Sequence, residues 1–296
     1  MKMTVSVATV LFLMTVSVSV RKSSGQTLPL DMANNSVDDS FEGCKADMYK
    51  LVESKYTEQE KNHTPGFSAA WQNALSNCNK DGLNINQSAA IYMYTQDRLY
   101  NSDCSHVVFN KACREEKAAY KSGDFKFYTL YFFLTEAVQQ LKKQLSQRFW
   151  CATSYRRTRL TINNVAVNQK IRFGSFTSSS LTNKLINFGE ESCFKIKTCY
   201  GAKLKKYSAV PHEQEVLIPP YEVFRITAIK KRDQKNKLWC KVVYELKSAG
   251  KRSDLKCQHL LKSLEREIQN SLPPKRNTNP RPFKTCFWPF VLVLWV

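Results

Sequence analysis

The sequence lacks the motifs that usually hold a metal ion or activate a hydrolase. It has only four histidines, and its ten cysteines show neither a CxxC pair nor the Cys/His spacing of a zinc site. The histidines are His63, His106, His212 and His259. None of them lies in a hydrolase or zinc motif, so we expect no metal.

Acidic residues are also scarce. The chain of 296 residues has 25 Asp and Glu against 45 Lys and Arg, which gives a formal net charge of +20. Such an excess suits an anionic partner: a dinucleotide, a glycan, nucleic acid or an anionic membrane surface. The basic residues are spread along the chain rather than clustered with interleaved aromatic residues, which argues against a nucleic-acid surface.

The apolar N-terminal run is short for a transmembrane helix, and no stop-transfer pattern follows it. Lys2 supplies a positive n-region, Val5 to Val20 an apolar stretch, and Ser23 to Gly25 a cleavage zone. Residues 1–25 are therefore predicted to be a secretory signal peptide. Three N-glycosylation sequons agree with export, and their asparagines are Asn34, Asn62 and Asn86.

Ten cysteines in an exported chain are typical of a disulfide framework, although spacing alone does not give the connectivity. They are Cys44, Cys78, Cys104, Cys113, Cys151, Cys193, Cys199, Cys240, Cys257 and Cys286.

Hydrophobic periodicity changes in the middle of the chain. Before it, three-to-four spacing predicts helices over Phe67–Cys78, from about Gln87, over Val107–Tyr120 and, most strongly, over Thr129–Arg148. The segment Glu58–Lys61 is interpreted as a charged turn. From Cys151 onward the period is two, and residues 194–200 and 238–246 are predicted to be antiparallel strands with one wet face. Helices followed by strands indicate an α+β fold.

The C-terminal end differs from the rest of the chain. Pro273–Pro282 is rich in Pro, Asn and basic residues and is predicted to be a linker. Phe287–Val296 is apolar but too short to span a bilayer alone. Polar residues at Asn277–Asn279 precede this tail, so residues 263–296 are a candidate for a cleaved glycolipid-anchor signal. The spacer and the tail are both short, which leaves anchoring and plain secretion equally open.

Two glutamates stand just before a short β-prone run. Val216–Ile218 is apolar, and Pro219–Pro220 must end its pairing. If the backbone is extended, Glu213 and Glu215 point to one face and into one space. Two carboxylates that lie so close together repel each other, which raises the pKa of at least one of them. Carboxyl groups with a raised pKa are typical of catalytic sites. A solvated pair on an edge strand is the alternative.

Upstream of these glutamates lie an arginine in the polar strand Thr153–Thr158 and a serine cluster in Gly174–Leu181. Arginine, serines and Glu-x-Glu, in this order, resemble the R-S-ExE signature of the arginine-specific mono-ADP-ribosyltransferases of the cell-surface and secreted type. The resemblance covers about residues 30 to 260. Its further phrases are Val37–Cys44, Leu130–Ala137, Asn187–Gly189, Tyr200–Ala202 and Glu215–Glu222.

The resemblance implies a single domain over residues 26–262, with a helical part to about residue 150. This part would pack on two small antiparallel β-sheets with an NAD cleft. It also implies a disulfide between Cys44 and Cys257 and another between Cys151 and Cys199. Two further pairs, Cys104 with Cys113 and Cys193 with Cys240, are guesses.

The resemblance also implies roles for site residues, with NAD as co-substrate and no prosthetic group. Glu215 would stabilise an oxocarbenium-like transition state through the ribose 2′-hydroxyl, and Glu213 would grip the acceptor guanidinium. Arg156 would bind the pyrophosphate, and Ser178 would orient the ribose and Glu215. Without the family order, Arg156 is an exposed strand arginine and Ser178 part of a hydroxyl-rich turn. Many members have glycine where this chain has Arg157, and alignment on Tyr155 selects Arg156.

Three functions compete. The first is transfer of ADP-ribose from NAD to arginine on acceptor proteins, by an enzyme that is secreted or on the extracellular face of the membrane. The second is hydrolysis of NAD, with water replacing arginine. The third is a disulfide-stapled basic module that binds glycans or anionic surfaces without turnover. The intact arginine, serine and Glu-x-Glu set favours the first. We expect no nucleic-acid partner, and membrane attachment only through a lipid anchor.

Overall fold

The computed structural model describes residues 30–96, 103–144, 150–258 and 260, and the first half of this range is helical. The helices are α1 (Lys45–Leu51), α2 (Thr57–His63), α3 (Phe67–Asn77), α4 (Ile85–Tyr94), α5 (His106–Glu115), α6 (Lys117–Ser122) and α7 (Tyr128–Lys143). A π-helical turn, Val52–Tyr56, joins α1 to α2.

Local sequence explains where several helices begin. Asn84 caps α4, and the Gln87 side chain completes a capping box with it. The Ser105 hydroxyl accepts a hydrogen bond from the backbone N–H of Val108 at the start of α5. Helix α7 is buried along most of its length, which places it at the centre of the helical half.

The helix predictions agree with the structure to within a few residues, with two corrections. The predicted Val107–Tyr120 helix is divided at Glu116, where α5 ends and α6 begins. The predicted turn at Glu58–Lys61 is wrong, because this segment lies within α2. Arg148, the predicted end of the last helix, lies outside the described residues.

In the described part of the chain, eight strands follow the helices. They are β1 (Ala152–Thr158), β2 (Lys170–Ile171), β3 (Thr177–Ser180), β4 (Ser192–Thr198), β5 (Ala202–Lys203), β6 (Glu215–Ile218), β7 (Glu222–Lys231) and β8 (Val242–Lys251). They form one sheet in the order β2-β7-β8-β4-β1-β3-β6-β5.

The expected pair of antiparallel sheets is wrong. Strand β4 pairs antiparallel with β1 on one side and parallel with β8 on the other, so all eight strands join in a single mixed sheet. Alternation of buried and exposed residues predicts a strand with one wet face, but it carries no information about the direction of the neighbouring strand. The α+β class itself agrees with the structure.

The strand predicted over residues 238–246 begins later in the structure than predicted. Strand β8 starts at Val242, and Leu238 to Lys241 lie before it. Buried Cys240 in this segment forms a disulfide with Cys193 on β4. The alternating apolar residues here therefore belong partly to a disulfide-bonded turn.

Most buried hydrophobic side chains of the described residues fall into two clusters. The larger cluster is built from the helices and reaches the sheet at Phe176 and Leu217. The second lies among the strands, and it includes Phe194, Ile196, Phe224, Ile226 and Leu246.

Three disulfides occur in the described residues. Cys44–Cys257 and Cys151–Cys199 agree with the pairs that the resemblance implies, and Cys193–Cys240 agrees with one of the guesses. The other guess, Cys104 with Cys113, is wrong: these two cysteines and Cys78 are buried free thiols. Cys286 lies outside the described residues.

The predicted signal peptide, linker and apolar tail also fall outside the described residues. Within the described part of the chain, no helix is long and apolar enough to cross a membrane. The same part contains no group of three His, Cys, Asp or Glu side chains that could hold a metal ion.

Candidate active site

A cavity of about 280 Å³ opens where the helices α4 and α5 meet the strands β1, β3 and β6. Arg156, Ser178, Glu213 and Glu215, the four residues singled out in the sequence, all line it. The structure therefore brings together residues that are up to 59 positions apart in the chain.

Arg156 lies in the middle of β1, opposite Phe194 of β4. Its Nη1 donates a hydrogen bond of 2.6 Å to the backbone carbonyl of Ser178. Burial lowers the pKa of Arg156 below its ordinary value, while nearby Tyr94 and Glu215 act in the opposite direction. A guanidinium stays protonated under such conditions, so the cavity wall carries a fixed positive charge.

Arg157 also borders the cavity, but its guanidinium is tied to a loop. Its Nε donates to the carbonyl of Asn183 at 2.8 Å and its Nη1 to that of Gly189 at 3.1 Å. The guanidinium carbon lies 4.9 Å from the centre of the Trp239 ring. Arg157 thus fastens the loop from Asn183 to Gly189 to the sheet.

Ser178 sits on β3, with Leu217 of β6 as its register partner. Its hydroxyl hydrogen-bonds to the carboxylate of Glu215 and to Tyr94. The neighbouring Ser179 turns the other way, and its hydroxyl bonds to Ser154 and to the carbonyl of Val216. Alternation along β3 therefore gives the two serines different surroundings.

Glu215 is the first residue of β6 and is buried, with 5% of its surface exposed. Burial raises its pKa to about 7, and the charge of Glu213 adds to this rise. Hydrogen bonds from Ser178 and Ser208 and the charge of Arg156 act in the opposite direction. This carboxylate is therefore poised to change its charge near neutral pH.

Glu213 reaches the same cavity by a route that differs from the predicted extended strand. It ends a 3₁₀ turn, Pro211–Glu213, and the following Gln214 has a left-handed backbone with φ of 49°. The Ser180 hydroxyl donates 2.6 Å to the carbonyl of Glu213 and so fixes the turn to β3. The two glutamates share one space because of this turn and not because of strand alternation.

Four cavity residues from the helical half were not predicted from the sequence: Tyr94, Thr95, His106 and Asn110. The Tyr94 hydroxyl donates 3.1 Å to the carbonyl of Phe176 and accepts from the side-chain amide of Asn110 at 3.0 Å. Burial raises the pKa of Tyr94 to about 12, so it stays protonated as a donor. No local signal could have found Tyr94, which ends an ordinary apolar helix.

The family model described as NAD:arginine ADP-ribosyltransferase matches residues 30–254, about three quarters of the chain. The chain belongs to this family.

Individual arginine ADP-ribosyltransferases are also similar to this chain in sequence. The chain is 32% identical over 247 residues to NAD(P)(+)--arginine ADP-ribosyltransferase 2 of Gallus gallus, covering 79% of this chain and 74% of the relative. It is 34% identical over 262 residues to GPI-linked NAD(P)(+)--arginine ADP-ribosyltransferase 1 of Mus musculus, covering 82% and 77%.

Solved structures share the fold of the family. The crystal structure of the eukaryotic mono-ADP-ribosyltransferase ART2.2 matches with a TM-score of 0.62 and 29% identity, over 77% of this chain and 97% of that one. A mutant of the same protein in complex with NADH matches with a TM-score of 0.61 and 28% identity, with the same coverage.

Two residues outside the cavity, Gly189 and Glu222, have clear structural roles. Gly189 has φ of 104°, and a Cβ there would lie 2.5 Å from Cγ of Arg159 and 2.9 Å from the backbone of Thr158. Buried Glu222 accepts hydrogen bonds from the Thr198 hydroxyl at 2.5 Å and the Cys199 N–H at 2.7 Å. Glu222 therefore stabilises the turn next to the Cys151–Cys199 disulfide.

Proposed function

We propose that this chain transfers a single ADP-ribose from NAD to arginine side chains of proteins and releases nicotinamide. The observation that carries the proposal is the convergence of Arg156, Ser178, Glu213 and Glu215 on one cavity in a chain of the arginine ADP-ribosyltransferase family.

The cavity suits one end of a dinucleotide. A volume of about 280 Å³ lies near the lower limit of small-molecule sites, which measure roughly 300–1,000 Å³. It would enclose the nicotinamide ribose and leave the rest of NAD in the open cleft. The positive charge of Arg156 at the cavity wall suits the pyrophosphate, and Ser178 lies within hydrogen-bond reach of the carboxylate that would serve the ribose.

Cleavage of the nicotinamide–ribose bond needs no general acid, because the leaving ring is already cationic. The bonding electrons depart with the ring, and the ribose carbon becomes cation-like. A preorganised carboxylate in a dry site stabilises such a transition state strongly. Buried Glu215 is placed for this role, supported by Ser178 and Ser208, and it acts in its ionised form.

The acceptor then needs its own carboxylate. A guanidinium is protonated near neutral pH and is a poor nucleophile until it is held and loses a proton. Glu213 is half-buried and adjoins the cavity, so it can grip a guanidinium with paired hydrogen bonds and take its proton. The arginine nitrogen forms the new bond to the ribose carbon as nicotinamide departs.

The reaction takes place outside the cell. One mouse relative is named as GPI-linked, and two are named as T-cell ecto-ADP-ribosyltransferases. The signal peptide proposed for residues 1–25 and the three disulfides fit this setting. A glycolipid anchor built from residues 263–296 is one proposal for how the domain is retained at the surface, and free secretion is the other.

The test is incubation of the secreted protein with labelled NAD and agmatine, a small guanidinium acceptor. We expect labelled ADP-ribosyl-agmatine and an equal amount of nicotinamide. Nicotinamide with only free ADP-ribose would make the protein an NAD hydrolase, and no nicotinamide at all would contradict the proposal.

A further inference from the structure

A row of four basic side chains crosses four neighbouring strands of the sheet. Lys170 of β2 is the register partner of Arg225 on β7, and Arg225 is the partner of Lys247 on β8. Lys247 is in turn the partner of Lys197 on β4. Direct partners on adjacent strands point to the same face, so the four cations form one line, which we call the basic row.

The basic row lies on the wet face of the sheet. All four of its side chains are exposed, whereas the residues beside them in sequence, such as Ile196, Phe224 and Leu246, are buried in the second cluster. Three of the four cations also line a shallow groove together with Thr227, Ser248 and Ala249. None of the four lines the candidate active site.

Stability does not explain this arrangement. Like charges directly opposite each other on neighbouring strands destabilise a sheet. Two residues away on the same face, Glu245 of β8 offsets the lysines beside it, with contacts of 3.8 Å to Lys195 and 2.8 Å to Lys230. In the described part of the chain, no carboxylate forms such an ion pair with the basic row.

Protection of a sheet edge does not explain it either. Lysines often mark edge strands, where they discourage pairing with another chain. Only β2 is at the edge, whereas β7, β8 and β4 are interior strands. The row therefore extends over interior strands, where a lysine is not needed to prevent pairing with another chain.

We propose that the basic row binds a sulfated glycosaminoglycan chain outside the cell. Neighbouring strands lie about 4.8 Å apart, so the four cations span roughly 14 Å at regular intervals. A sulfated glycan carries its anionic groups at similar short intervals along an extended chain, and it is abundant where this enzyme acts. The exposed Thr227 hydroxyl in the groove donates to the carbonyl of Glu245 and can still accept a hydrogen bond from a sugar hydroxyl.

Other polyanions fit less well. A membrane surface would favour apolar side chains beside the cations, as in interfacial segments, and the groove residues next to the row are Thr, Ser and Ala. Single-stranded nucleic acid would favour aromatic stacking platforms, and none of the described residues that line the groove is aromatic.

Heparin affinity chromatography of the full secreted protein tests the proposal. The row variant replaces Lys170, Lys197 and Lys247 with Gln and leaves Arg225, which donates to the carbonyl of Asn168. The control variant makes the same charge change at exposed lysines of the helical half, Lys55, Lys80 and Lys126. Both should label agmatine like the wild type, which shows that they are folded.

We expect the row variant to bind heparin on the order of tenfold to a hundredfold more weakly at physiological salt, and the control to change little. The slope of log Kd against log salt should fall by about 0.7–0.9 for each lysine removed from the row, if heparin releases counterions as nucleic acids do. A row variant with Arg in place of the three lysines should keep its affinity.

Three results would overturn the proposal. Equal loss of heparin binding in the row and control variants would mean that only net charge matters. Unchanged heparin binding in the row variant would show that the basic row does not contribute to heparin binding. Row-dependent binding to phosphatidylserine vesicles or single-stranded DNA that is tighter than binding to heparin would assign the row to another polyanion.

Discussion

At the scale of single residues, the site depends on two carboxylates with different surroundings. Glu215 is buried in a strand and contacts serine hydroxyls, whereas Glu213 is half-buried and ends a 3₁₀ turn whose other residues are exposed. We propose that the first serves the sugar in every reaction of the site and that the second serves only the acceptor. This division leads to two predictions.

Glu213→Gln should lose transfer to arginine and keep NAD binding and much of any NAD hydrolysis, because water needs no guanidinium clamp. Loss of a charge-assisted pair costs about 1.5–3 kcal/mol, so transfer should fall roughly tenfold to a hundredfold. The measurement is the ratio of agmatine labelling to free ADP-ribose in the wild type and the variant. A parallel fall of both products would place Glu213 in the NAD half of the site.

The pH dependence should follow Glu215. Because burial raises its pKa to about 7 and the ionised form is the active one, kcat/KM should rise with pH and level off above neutrality. Below about pH 6 it should fall nearly tenfold per pH unit. Glu213→Gln removes a like charge that raises this pKa, so any residual hydrolysis should show its acid limb at lower pH. An acid limb near pH 4 in the wild type would contradict the assignment.

At the scale of elements, the sequence predicts strand and helix positions better than their connections. Thr129–Arg148 was expected as a buried helix, and α7 is buried over Tyr128–Val138. The direction of β8 and the merging of all strands into one sheet depend on long-range pairing, which periodicity does not encode. Likewise, both glutamates were placed at one site, but the left-handed Gln214 between them has no marker in the sequence.

Buried carboxylates outside the site were harder to predict. Glu60, in the supposed charged turn, is buried, and its carboxylate accepts the Thr129 N–H at 3.1 Å at the start of α7. Burial raises its pKa to about 8. The stretch Glu58–Lys61 is polar throughout, so only the packing of α2 against α7 distinguishes the inward-facing residue.

The loop from Asn183 to Gly189 should depend on Arg157. Arg157→Ala removes two hydrogen bonds to loop carbonyls and the contact with Trp239, which together are worth about 1–2 kcal/mol. Since Leu185 and Phe188 of this loop line the cavity, KM for NAD should rise roughly fivefold to thirtyfold while kcat changes less.

Arg157→Lys is the matched control for the loop. It keeps the charge but not the planar fork that reaches two carbonyls, so it should behave more like Arg157→Ala than like the wild type. Full recovery by lysine would show that charge alone matters, and an unchanged KM in both variants would separate the loop from NAD binding.

At the scale of the whole molecule, the two ends of the domain are tied at one place. The Asp38 carboxylate pairs with Arg172 at 2.6 Å with both side chains buried, and it accepts the backbone N–H of Asp254 at 2.9 Å. The Asp39 carboxylate accepts from Cys257 at 3.0 Å, beside the Cys44–Cys257 disulfide. The segment Val37–Cys44 therefore has a structural role outside the candidate active site.

Removing the Cys44–Cys257 disulfide should cost more stability than removing Cys193–Cys240. Their partners are 213 and 47 residues apart, and the chain-entropy model predicts a difference of about 1 kcal/mol on a typical cost of 2–4 kcal/mol. Urea unfolding of the two double Cys→Ala variants would measure this. A larger loss in the Cys193–Cys240 variant would show that local packing dominates over loop closure.

We propose that the charge of Glu215 drives cleavage of NAD. Glu215→Gln keeps the shape of the side chain and should reduce both agmatine labelling and nicotinamide release by at least about 10²–10³. Burial raises the pKa of Glu215 from 4.5 to about 7, so its ionisation destabilises the fold as pH rises through that range. The variant should therefore melt no lower than the wild type at about pH 8, which excludes misfolding. Near-normal turnover by this folded variant would contradict the account.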